Sequence, residues 1–299
     1  MVCVRQAWLT LGSLTLQLED MTKGYWCETL DLGSPAVREV VSNRPDQNGV
    51  DDRTMYMGAR TITADIKALQ SVGGAANPID AVATAFAPFM DPGQRPVLHY
   101  VLDRPGTPER QITVRAADYG WPISGPYERD VHLAFVAADP VMRDATQKTA
   151  TAWAGSGSGG VRVYNLTFNR TYPGSGTSPT NATIAPLGDV GVRPLFRIYG
   201  PATAPAVNWY NIPSGQNGWM RTVAGYQVFA GHYLDINSAT KTAFVDGDPN
   251  QPAMASIDWQ NSQWPLIGPA PAYSIMTLSA GSPSAVTQVQ AMWRDGYLT

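Results

Sequence analysis

Val41–Ala68 reads VSNRPDQNGVDDRTMYMGARTITADIKA, and the second half of this stretch decides the class of fold. From Arg60 to Ile66, polar and apolar residues alternate with a period of two, the pattern of a strand that buries one face. Thr54–Gly58 reads as a preceding strand segment, and Gly58 between the two marks a bulge or a close backbone approach. Upstream, Arg44-Pro45-Asp46-Gln47-Asn48-Gly49 is a polar turn. Nothing in the stretch combines into a catalytic set. It reads as the centre of a β-rich assembly module.

Working outward towards the N-terminus, Trp8–Glu19 (WLTLGSLTLQLE) alternates on both sides of Gly12-Ser13, a hairpin signal. Lys23–Leu32 is a further strand closed by Gly33-Ser34-Pro35. Towards the C-terminus the period changes. Asn77-Pro78 supplies a helix cap with proline in the first turn, and Ile79, Val82, Ala83, Phe86 and Phe89 follow at helical spacing up to Asp91-Pro92-Gly93. Strands are expected at Pro96–Asp103, Arg110–Ala116 and Asp130–Ala137, the last stopped by Asp139-Pro140.

Near Thr146 the composition shifts. Lys148–Gly160 and Tyr172–Pro186 are rich in Gly, Ser, Thr and Ala, which predicts a linker with an arm over 146–190. Beyond it, strand-like runs recur at Leu195–Tyr199, Trp219–Val223, Tyr226–Phe229, Tyr233–Ile236, Lys241–Val245, Met254–Trp259, Ser274–Ser279 and Gln288–Trp293. That spacing predicts a jelly-roll β-sandwich over 191–299. The expected organisation is mainly β: an N-terminal domain over 1–145 with one helix, the linker, and a C-terminal sandwich.

Composition agrees with this. The 28 Gly and 24 Pro of 299 residues interrupt the chain too often for many long helices. Charged residues are 15% and the formal charge is −3. Such a surface suits either a subunit packed against other subunits or a β-protein rich in neutral polar side chains. There is no basic excess or run, which argues against nucleic acid as a partner. Cys3 and Cys27 do not make a disulfide framework. The absence of a signal segment or a membrane-length apolar run leads to the expectation of synthesis in a cytoplasm.

The order of these signals resembles the distal tail proteins, or minor tail proteins, of long-tailed phages. The features that carry the resemblance are the Trp8–Glu19 hairpin, the Asp51…Tyr56–Thr63 segment, the Pro78–Phe89 helix and the strand ending Phe135–Pro140. In the second half they are Gly188-Asp189 with Pro194–Pro201, then Gly231–Ile236 and Met292–Leu298. The resemblance implies an N-terminal β-barrel-like domain that closes a ring, a hexamer in that family, and a galectin-like C-terminal sandwich. It further implies a virion protein at the tail tip. Its partners would be the tail tube protein, the tape-measure protein, the tail-tip hub and receptor-binding proteins. In such a ring Arg60–Thr63 is expected to lie in the ring-forming sheet and Arg44–Gly49 to reach a neighbouring copy. Arg44, Arg53 and Arg60 are the candidate interface residues.

Several motifs have both a chemical and a plain structural reading. Gly155–Gly160 satisfies G-x-G-x-x-G, but an alternating strand follows where a dinucleotide site needs a helix. Asp246–Asn250 begins like a calcium loop and then has Gln251 and Ile257 where glycine and glutamate belong. His99, His132 and His232 are too far apart in sequence to suggest a zinc set. Cys27 with a distant histidine is the one conceivable nucleophile pair. No cofactor, metal or catalytic residue is expected. Trp259, Trp264 and Tyr273, near Asp258 and Asn261, could hold a sugar ring, which gives a second functional reading: a carbohydrate-binding sandwich that attaches to a host-surface glycan.

Overall fold

The alternation that begins at Arg60 becomes a strand, Arg60–Leu69, in which residues 60, 62, 64, 66 and 68 are buried and those between face outward. The computed structural model describes residues 4–38, 41–43, 50–52, 56–69, 78–120, 123–125, 128–154, 180–212, 214–269 and 271–298. Glu128–Ala137 pairs antiparallel with Arg60–Leu69 along its whole length, setting Ile62 opposite Phe135 and Ala64 opposite Leu133. Tyr25–Asp31 lies on the other side of Arg60–Leu69, and Arg115–Gly120 beyond Glu128–Ala137. Cross-strand pairs of this kind bury one face of each strand and fix register, because a slip of one residue would turn Ile62 and Phe135 outward.

A second sheet runs in the order Leu14–Gln17, Val4–Leu11, Val97–Leu102, Arg110–Thr113, Met142–Asp144, Gly296–Tyr297. The hairpin turns at Gly12-Ser13 between the paired Leu11 and Leu14, with Gly12 at a φ of 59°, a value that favours glycine. Both sheets and the helix Pro78–Met90 share one core that includes Leu9, Leu98, Ile112, Ile62, Leu133 and Phe135. The helix contributes Val82, Phe86, Phe89 and Met90 to that core, and Phe86 meets Tyr25 edge-on at 5.9 Å between ring centroids. The side chain of Ile79 and the Asn77 cap lie outside the described residues.

The run expected as one strand over Arg110–Ala116 is two. Arg110–Thr113 belongs to the first-mentioned hairpin's sheet and Arg115–Gly120 to the other, with Val114 1% exposed at the corner. A continuous apolar period cannot reveal such a crossing, since both sheets bury the same face of the chain.

The chain forms two compact units, Met1–Thr146 with Tyr297–Thr299, and Gln147–Gly296. The second unit is a sandwich of two five-stranded sheets. One is ordered Lys148–Trp153, Gln288–Trp293, Leu195–Tyr199, Tyr233–Asn237, Thr242–Val245. The other is ordered Asn181–Ile184, Tyr273–Gly281, Ala202–Ile212, Asn217–Arg221, with Gln227–Val228 against one end of Ala202–Ile212. Phe196, Ile236 and Val289 of the first sheet and Val207, Met220 and Met276 of the second are wholly buried in one core.

Several expectations change here. Lys148–Trp153 and Asn181–Ile184, placed in a linker by composition, are strands of this sandwich, because Ala150, Ala152 and Ile184 supply an inward face despite their polar neighbours. The Gly155–Gly160 run and Val161–Phe168 lie outside the described residues. Met254–Trp259 is not a strand: Met254–Ser256 is a short 3-10 turn and Ile257 bridges to Thr222. The chain end is not the sandwich's last strand either, since Tyr297 onwards belongs to the N-terminal unit. Among the described residues no helix is long and apolar enough to cross a membrane.

Candidate contact surfaces

Of the three candidate interface arginines, Arg44 and Arg53 lie outside the described residues. Arg60 is 0% exposed, so its side chain is part of the interior of the N-terminal unit rather than of a surface. The phase of its strand puts it there: it shares parity with Ile62, Ala64 and Ile66. Its Nη2 donates to the carbonyl oxygen of Leu298 at 2.5 Å and its Nη1 to Met142 Sδ at 3.3 Å. Tyr100 donates its hydroxyl hydrogen to the same sulfur. Burial pushes the Arg60 guanidinium below its usual value and the Tyr100 phenol above its own. Next to this pair, the guanidinium carbon of Arg110 lies 3.8 Å from the centroid of the Tyr297 ring. The last residues of the chain are thus gripped by two arginines of the N-terminal unit. The strand pattern could have told that Arg60 points inward; nothing in the sequence told that its acceptor lies 238 residues away.

The outward face of the Arg60–Leu69 sheet is polar and ionic. Asp65 Oδ2 accepts from Thr29 Oγ1 at 2.6 Å, and Asp65 Oδ1 lies 2.6 Å from His132 Nδ1. The Thr29 hydroxyl, then His132, hold the Asp65 carboxyl below the usual carboxylate range. Lys67 sits between Glu28 at 3.4 Å and Glu128 at 3.8 Å. On the other sheet of this unit, His99 stacks on Trp8 at 5.3 Å between centroids, its Nδ1 2.7 Å from Glu109 and its Nε2 3.0 Å from Thr10 Oγ1. Each histidine is fixed by one carboxylate, and His232 likewise lies 2.6 Å from Asp246.

The residues of the nucleophile and calcium-like motifs are engaged in other contacts. Burial, then Glu19 and Asp65, push the Cys27 thiol up to about 11, and it donates to the Thr29 carbonyl. A thiol kept protonated in this way is inert as a nucleophile. In the calcium-like loop, Asp246 accepts from the Tyr233 backbone N–H and meets His232, and Asp248 accepts from Asn250 and Gln251. These hydrogen bonds hold both carboxyls low and occupy the oxygens a cation would use. Among the described residues no group of His, Cys, Asp and Glu is arranged to hold a metal ion.

The sugar-contact trio is only partly brought together. Trp259, 50% exposed, leans on Trp264 at 5.8 Å between centroids, and Asp258 fixes the turn by accepting from the Asn261 backbone and side chain. The turn is tied to the edge strand Asn217–Arg221 by Asp258 N–H to Arg221 O and Gln263 N–H to Trp219 O. Tyr273 stands apart, opposite Ile212 on a strand separated from that edge by Ala202–Ile212. Tyr210 and Trp219, which no motif in the sequence marks as a site, are 44% and 38% exposed on the outward face between these flanks.

No protein-family model matches the sequence, and no curated protein matches it significantly. Solved structures do share the fold. The SPP1 Dit protein, described as a paradigm of hub adsorption apparatus in phages that infect Gram-positive hosts, superposes with a TM-score of 0.65. The identity is 10%, with 98% of this chain and 99% of that one covered. A chain of the phage P2 baseplate in its activated conformation with Ca gives 0.52 at 11% identity, covering 97% of each chain. The same baseplate with Sr gives 0.51 at 11% identity, covering 96% of this chain and 97% of that one.

Proposed function

We propose that this chain is a structural protein of a phage tail tip, a hub whose copies close into a ring that joins the tail tube to the tail-tip and receptor-binding apparatus. The observation that carries the reading is the likeness to the SPP1 Dit hub protein over 98% of the chain, which takes in both units in one order. Six copies, with the tail tube protein and the tape-measure protein as axial neighbours, follow from the family resemblance.

Features of the N-terminal unit fit a surface that other copies cover. Among the described residues its sheets end at Leu14–Gln17 and Tyr25–Asp31, and sheet edges of this kind invite strand contacts between chains. Leu14 is 50% exposed at the first edge. In the ribbon formed by Val37–Arg38 and Tyr56–Met57, Val37 and Met57 face each other and are 61% and 46% exposed. Apolar side chains on a two-stranded ribbon have no core of their own to enter, so a neighbour is the natural place to bury them.

Mass measurement of the purified chain in solution tests the ring. Assembly into a closed oligomer is expected, and a strict monomer at high concentration would sink the reading. Arg44→Glu with Arg53→Glu should weaken assembly while the monomer's melting temperature stays within a few degrees. Unchanged assembly would mean that the loop is solvated surface.

A further inference from the structure

We infer that the outward face of the Ala202–Ile212 sheet in the second unit is a saccharide-binding surface centred on Tyr210 and Trp219. The strand parities set this face. Val207, Trp209 and Asn211 turn inward, as do Gly218 and Met220, so Asn208, Tyr210, Asn217 and Trp219 turn outward. The register then orders them into two rows. Ile275, Tyr210 and Asn217 lie opposite one another in the first row, and Thr277, Asn208 and Trp219 in the second. Tyr210 and Trp219 are therefore diagonal neighbours on adjacent strands, about 7–8 Å apart, close enough for one ligand to touch both rings.

The chemistry of the rows selects the ligand. A pyranose ring presents a flat patch of weakly positive C–H groups, which the negative face of an aromatic ring attracts, and a rim of hydroxyls that both donate and accept. Each ring here has an amide beside it in register, Asn217 by Tyr210 and Asn208 by Trp219, and an amide offers a donor and an acceptor together. Thr277 adds a hydroxyl opposite Asn208. No carboxylate stands in either row. The adjoining charge is Arg221, whose guanidinium carbon lies 5.2 Å from the Trp219 ring centroid. One cation beside an indole is too little for a polyanion, which needs several. A small number of fixed polar groups among apolar rings is what orients a neutral ligand. Gly218 has no room for a side chain, since an added Cβ would lie 2.3 Å from the ring of Trp209, its partner on the neighbouring strand of the same sheet. The turn that carries the Trp259–Trp264 pair is joined to the same edge strand by the backbone N–H groups of Asp258 and Gln263.

The inference does not depend on ring formation, and its test is separate. The full chain is applied to an array of immobilised neutral hexose and N-acetylhexosamine oligosaccharides, with heparin as a polyanion arm. The strongest oligosaccharide is then titrated calorimetrically. Retention of a neutral oligosaccharide is expected, with Trp219→Ala weakening it about tenfold or more and Tyr210→Ala several-fold, as for aromatic anchors elsewhere. Asn208→Ala, which removes an amide but no ring, should weaken it less and provides a second reading if an aromatic variant does not fold. Absence of any neutral oligosaccharide binding, binding to heparin alone, or full affinity in all three variants would overturn the assignment.

Discussion

Arg60 and the buried acids of the sandwich are held in different ways. In the sandwich, buried acids meet cations of the same unit: Asp235 is bridged by Arg197 through two hydrogen bonds of 2.8 Å, and Asp295, fully buried, is met by Lys148 and by the Trp293 indole N–H at 3.2 Å. In the N-terminal unit the buried cation Arg60 meets a main-chain carbonyl and a sulfur instead of a carboxylate. Its Nε has no partner among the described residues. A guanidinium in that setting depends strongly on each contact it has, because a lost partner leaves a buried charge uncompensated. The acceptor comes from the far end of the chain, after the whole sandwich has been traversed. The N-terminal unit is therefore not complete until the last residues are in place, whereas the ion pairs of the sandwich lie within one continuous segment.

Three changes would break or sharpen this contrast. The largest effect is expected from Arg60→Glu, which sets a carboxylate against the Leu298 carbonyl and the Met142 sulfur. A loss of about 3–5 kcal/mol is expected from the N-terminal unit, read as an early transition in chemical unfolding, with the sandwich transition unmoved. Arg60→Met removes the charge and keeps much of the volume, so it should cost far less. If both variants unfold alike, packing and not charge governs the site.

Truncation after Gly296 comes next. It removes the Leu298 acceptor and the Tyr297 ring beside Arg110 and should destabilise the N-terminal unit by roughly 2–4 kcal/mol. A thermal scan that resolves the two units would show the effect confined to the first. An equal loss in the sandwich would contradict the division of roles.

The smallest effect concerns Asp65. Hydrogen bonds from Thr29 and His132 lower its pKa in the folded state. A group with a depressed folded value contributes stability that is present above the unfolded value of about 4 and is lost as pH falls through the folded one. Asp65→Asn should therefore flatten the acid limb of stability below the unfolded value of about 4 and leave the neutral-to-alkaline limb in place. The side chains of Asp65 and His132 are each 49% exposed, so solvent screening keeps the effect modest. An unaltered acid limb would mean the hydrogen bonds carry no net weight.

The outer surfaces differ as well. The sheet built on Arg60–Leu69 faces outward with Asp65, His132, Lys67 and Glu128, paired across strands. The sheet built on Ala202–Ile212 faces outward with Tyr210 and Trp219 among amides. The aromatic flanks of that second face are legible in the sequence and its centre is not. Ala202–Ile212 escaped recognition because Pro201 and Pro205 argue against a strand, and because the register against Tyr273–Gly281 slips between Thr203 and Ala206. The consecutive Trp209 and Tyr210 hide the parity too, since either could face the core.

What the sequence determined by itself was the local alternation. The inward set Ile62, Ala64, Ile66, Leu133 and Phe135, the Gly12-Ser13 hairpin and the helical run of Val82, Phe86 and Phe89 all follow from periodicity and turn chemistry, which act over a few residues. The same alternation also turned Arg60 inward, although its charge suggested a surface. Tertiary structure decided the rest: the crossing between sheets at Val114, the recruitment of Lys148–Trp153 into the sandwich, and the pairing of Arg60 with Leu298. Those outcomes depend on contacts between residues far apart in the chain, whose free energy exists only once both partners are held in place. No local pattern carries their signature.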